Sequence, residues 1–99
     1  MADAANTLTA ALSRNRVNFF KADLALCSTF VQLAVTRLQA GMRESAQQAI
    51  RSAEKGYSTL KHLLSDPKHV RYLTPDQVRD FIAQLEELRK KLDGLQSQL

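Results

Sequence analysis

Between residues 17 and 38 the apolar side chains Val17, Phe20, Leu24, Cys27, Val31, Ala34 and Leu38 recur at alternating steps of three and four. That alternation follows the 3.6-residue turn of an α-helix and puts all of them on one stripe, which no alternating β-strand does. A second stripe, Phe19, Leu26, Phe30 and Leu33, lies on a neighbouring face of the same helix. A helix apolar on two faces must be covered from two sides, so this segment is expected to be the central element of the fold.

The pattern continues in two further helices. Gly41, the residue most tolerant of positive φ, falls just past the first helix, where left-handed caps occur. A second helix is expected over 43–64, with Ala46, Ala49, Ile50, Ala53, Tyr57, Leu60 and Leu64 facing inward. Gly56 inside it costs about 1 kcal/mol relative to Ala and marks a bend, a close contact or a weak point. Pro67 disfavours helix at Asp66, so 65–74 reads as a linker. Thr74, Pro75 and Gln77 then form a capping box with proline at the first helical position, and Leu73 and Val78 are spaced as a hydrophobic staple.

From Val78 the positions Phe81, Leu85, Leu88, Leu92, Leu95 and Leu99 keep the three–four alternation, which predicts a third helix over 75–98. Glu86 with Lys90 and Glu87 with Lys91 mark its solvent face. The three main helices would each be roughly 33–36 Å long at ~1.5 Å per residue, matched for side-by-side packing. The expected architecture is therefore all-α, an antiparallel three-helix bundle with helix one over 16–40. Leu8 and Leu12 suggest a short extra N-terminal helix, but Arg14, Asn15, Arg16 and Asn18 interrupt the pattern. Residues 1–15 are left as a short helix, an extension of helix one, a frayed segment, or a segment packed on another chain.

Composition narrows the class. A chain of 99 residues with 44% hydrophobic side chains supports one modest core and one domain, and only three Gly and two Pro suits long helices. Lys21, Asp23, Gln32 and Arg37 interrupt the most apolar region, so no membrane span is expected. The opening "MADAANTLTAALSRNR" lacks the basic and apolar regions of a secretory signal, and the single Cys27 suits a reducing compartment, which points to the cytoplasm. The net charge is +4, and residues 14–71 hold ten Lys or Arg against four acids.

Residues 27–60 resemble one tetratricopeptide repeat, a helix-turn-helix of 34 residues. Phe30 takes its opening aromatic place, Leu33 and Ala34 its leucine and small-residue pair, Gly41 its turn, and Ala46, Ile50 and Ala53 its second helix. Arg37 stands where the family prefers Tyr and Ser58 where it prefers Pro, which lets the second helix run on to Leu64. No second copy follows, and a single hairpin capped by a third helix is similar to the microtubule-interacting-and-transport type of three-helix domain. Either resemblance implies protein or peptide binding rather than catalysis.

The residues themselves offer little chemistry. His62 and His69 lack the spacing of a helical metal site, and Cys27 on an apolar stripe reads as a buried thiol. Glu86 and Glu87 point about 100° apart, and no phosphate loop or hydrolase motif occurs. No cofactor and no enzymatic activity is expected. The expected function is a helical module for protein–protein interaction or self-assembly, binding a peptide, a partner helix or a second copy. Its candidate surfaces are a leucine seam of Leu92, Leu95 and Leu99 and a hairpin groove of Phe30, Leu33 and Arg37. The alternative is an accessory binder of nucleic acid or another polyanion through a basic stripe of Arg43, Arg51, Lys55, Lys61 and Lys68.

Overall fold

A computed structural model describes the backbone of residues 2–99 and the side chains from residue 6 onward. The chain is all-α, with α1 over Ala2–Gln39, α2 over Arg43–Leu64, α3 over Pro67–Val70 and α4 over Pro75–Gln96. Each junction has a local cause. Gly41 adopts φ +77°, its N–H bonds Leu38 O at 3.0 Å, and Met42 N–H bonds Arg37 O at 2.8 Å. Together these form a Schellman motif that satisfies the last carbonyls of α1. Asp66 is extended and accepts from Lys68 N–H at 2.9 Å, so Pro67 opens α3 within the expected linker. Thr74 Oγ1 accepts from Gln77 N–H at 3.1 Å while Gln77 Oε1 accepts from Thr74 N–H at 2.9 Å, closing the capping box.

α1 folds back on α2: Arg37 donates to Ser45 O at 3.1 Å, and farther along Cys27 lies against Gly56. A Cβ added at Gly56 would overlap Cys27 Sγ, so the glycine marks a close contact between the two helices. α4 runs alongside α1 in the same direction, with Phe20 stacked on Phe81 at 5.1 Å near one end and Val31 and Val35 close to Leu95 at the other. The core joins Phe20, Leu24, Cys27, Val31 and Ala34 of α1 to Ala49, Ile50, Ala53 and Leu60 of α2 and Phe81, Leu85, Leu88, Leu92 and Leu95 of α4. Burying these side chains is the main force holding the three helices together.

The structure decides the open alternatives for the N-terminal segment and corrects the expected helix lengths and cover. α1 is one continuous helix of 38 residues, so residues 2–15 extend helix one rather than forming a separate element. The polar residues at 14, 15 and 18 interrupt a stripe without ending the helix, because a helix needs an apolar residue only where another element covers it. At ~1.5 Å per residue α1 is about 57 Å long and α2 and α4 about 33 Å each, so the lengths do not match. The molecule is accordingly a rod of 61 × 17 × 16 Å. The other expectation concerned cover: α2 and α4 both pack on the first stripe, while on the second Phe19 and Leu26 are exposed and Phe30 and Leu33 are only half-buried against the core.

Candidate functional site

Four of the seven exposed large apolar side chains among the described residues lie on the outward face of α1. Leu8 is 62% exposed, Leu12 37%, Phe19 41% and Leu26 53%. At 100° per residue these four fall within about 40° of arc, with half-buried Leu33 and Phe30 continuing the line. Leu12, Phe19, Leu26 and Leu33 are seven residues apart, the repeat of a coiled-coil seam. Sequence reasoning placed Phe19, Leu26, Phe30 and Leu33 on this stripe but left Leu8 and Leu12 out of it. The seven-residue spacing from Leu12 to Leu33 is the signal that joins Leu12, and Leu8 follows it one helical turn earlier on the same face.

Where α2 flanks this face, a groove of about 360 Å³ opens, lined by Asp23, Leu26 and Phe30 of α1 and by Ser52, Lys55 and Thr59 of α2. Cys27 forms its floor; burial, and secondarily the nearby Asp23 charge, push its thiol pKa up, which disfavours a nucleophilic thiolate. Of the expected hairpin residues, Phe30 lines the groove half-buried, while half-buried Leu33 packs against the core outside it. Arg37 is half-buried as well, and its bond to Ser45 O clips the two helices together beside the turn.

The leucine seam of α4 lies elsewhere. Leu92 is fully buried and Leu95 is 5% exposed, both inside the core of the single chain. They are therefore withdrawn as a docking surface: α1 and α2 extend along the whole of α4 and cover its apolar stripe. Leu99 alone stays accessible, at 37%, and its carbonyl accepts from Arg43 Nη2 at 2.5 Å.

The basic residues do not form one stripe. Arg43 and Lys61 lie eighteen residues apart, five helical turns, on the side of α2 that faces α4. Arg51 and Lys55 point roughly 80–120° away, and Lys68 belongs to α3. The best-built polar constellation is instead at the α2–α4 seam. Arg89 donates to Glu54 at 2.7 and 2.5 Å and to Asp93 at 3.0 Å, while its guanidinium lies 4.9 Å from the Tyr57 ring centre. Gln96 Nε2 also donates to Glu54, at 2.7 Å. The Glu54 hydrogen bond leads in pushing the Arg89 pKa upward, so the charge is permanent and the arrangement is a clamp between helices.

Among the described residues no three His, Cys, Asp or Glu side chains gather as a metal site. His62 is exposed, and His69 Nε2 sits 3.8 Å from Asp66. Within Asn6–Gln39, a helix long enough to cross a membrane, an 18-residue window reaches a mean hydropathy of 1.3, apolar enough for a span. No protein-family model, curated protein or solved structure matches the chain.

Proposed function

We propose that this chain is a non-enzymatic helical assembly module whose working surface is the outer face of α1. The observation that carries the reading is the line of Leu8, Leu12, Phe19 and Leu26. Their fractional exposures amount to about two whole apolar side chains. Scattered surface leucines are ordinary, but three apolar residues at seven-residue spacing, with Leu8 one turn before them on the same face, are how one helix presents itself to another. In this reading α1 and α2 are a tetratricopeptide-like hairpin within an antiparallel three-helix bundle, closed on one side by α4 and open on the other. Buried Ala34, Ala46, Ala49 and Ala53, with Gly56 against Cys27, support the close helix approach that such a hairpin uses.

We read the protein as cytoplasmic and α1 as its core helix. One side of α1 is committed to burying Phe20, Leu24, Cys27, Val31 and Ala34 against α2 and α4, a side that a lone membrane span would give to lipid. The polyanion reading is the weaker one, because its five cations diverge over the surface.

Light scattering over a concentration series tests the assembly reading. The full chain is expected to exceed monomer mass as concentration rises. A Leu8→Glu/Leu26→Glu variant, altered only at two side chains more than half exposed, stays monomeric with unchanged helicity. A full chain that remains monomeric at every concentration overturns the reading.

A further inference from the structure

Building on the assembly reading, we propose that the outer face of α1 is covered by α1 of a second copy, antiparallel, about a two-fold axis between residues 20 and 21. Numbered as a heptad, α1 has Leu12, Phe19, Leu26 and Leu33 at one seam position and Leu8, Asn15, Ala22 and Thr29 at the other. Antiparallel pairing on that axis sets Leu8 of one copy against Leu33 of the other, and the bulky Phe19 against the small Ala22. A parallel pair would stack Phe19 on Phe19 and set Ala22 against Ala22, wasting the size complementarity at the centre of the seam.

Charge selects the same orientation. Arg16 and Asp23 occupy equivalent flanking positions one heptad apart, on the groove side of the seam. No ion pair engages either of them among the described residues. In the antiparallel register Arg16 of each copy comes beside Asp23 of the other, giving two symmetric ion pairs. In a parallel register their cross-seam neighbours are the uncharged Ala11, Asn18 and Ala25.

The length of α1 fits as well. Its first part runs beyond the end of α2, while its second half is flanked by the groove of Asp23, Leu26, Phe30 and Lys55. The two-fold lays the projecting half of each copy along the grooved half of the other. That makes the interface isologous and closed, so assembly stops at the dimer.

Charge reversal followed by sedimentation tests the pairing on the full chain. Arg16→Glu or Asp23→Arg alone sets like charges together at both symmetric positions. Each is expected to raise the dimer dissociation constant on the order of tenfold, with helicity unchanged. The double variant Arg16→Glu/Asp23→Arg restores opposite pairing and returns the constant to within about threefold of the original. A wild-type dimer in which the two losses add overturns the antiparallel register and leaves the assembly reading standing. A wild-type chain that never dimerises, or that instead co-sediments with phosphatidylcholine vesicles, overturns both.

Discussion

Replacing Gly56 with alanine sets two effects of opposite sign against each other. In the interior of a helix the change alone contributes about 1 kcal/mol of stability, through lost backbone freedom in the unfolded chain. Here the added Cβ falls on Cys27 Sγ, a core atom of a residue only 2% exposed, with α2 above it and the rest of the core below. Overpacking of this kind costs ~1–3 kcal/mol, because the neighbours must shift as a body. The net expectation is a loss of about 1 kcal/mol, a fall in Tm of roughly 4–8 °C for a domain of this size. Trimming the obstacle reverses the sign. In a Cys27→Ala background the Cβ enters vacated space, and Gly56→Ala stabilises by up to ~1 kcal/mol, a coupling of about 2 kcal/mol across the cycle. Urea unfolding followed by circular dichroism on the four chains measures it. If Gly56→Ala stabilises the original chain, α1 and α2 do not approach at Cys27 as described, and the reasoning fails.

Other perturbations have simpler signs. Leu92→Ala removes a fully buried side chain and is expected to cost ~2–5 kcal/mol by denaturant unfolding, whereas an interface role would lower association and spare stability. Thr74→Ala removes the acceptor for Gln77 N–H at the start of α4 and should cost about 1 kcal/mol in the same assay. Cys27 should react slowly with a thiol reagent in the folded chain, and the rate should rise steeply with pH, because burial and Asp23 hold its pKa above the ordinary value. An unfolded-state rate at neutral pH would place the thiol at the surface.

The sequence was most legible where a local rule and the core agreed. Thr74 and Gln77 marked the start of α4, Gly41 marked the turn, and the 43–64 span of α2 needed only its alanine-rich stripe and Pro67 beyond it. The apolar stripes also separated helix from strand without ambiguity. Cover was harder to read. The pattern shows that α1 is apolar on two faces, yet nothing local says that α2 and α4 both settle on one of them, since that depends on their mutual packing through Leu60, Leu85 and Leu92. The same nonlocal packing buried Leu92 and Leu95, whose spacing resembles an interface as much as a core. The clamp of Glu54, Arg89 and Gln96 joins positions 35 and 42 residues apart, a proximity no helical spacing rule reports.

Distances between spin labels on the full chain test the antiparallel α1 pair most directly. Labels at the exposed positions Asn18 and Gln32, each introduced as cysteine in a Cys27→Ala background, are placed unequally by the two-fold. Along the axis, the two Asn18 labels of a dimer should lie about 8 Å apart and the two Gln32 labels about 35 Å apart, at 1.5 Å per residue. Lateral offset between the helices adds to the shorter value most. Short separations at both positions would contradict the account and make the pair parallel, and no dipolar coupling at Asn18 would show that α1 does not pair with itself on this face.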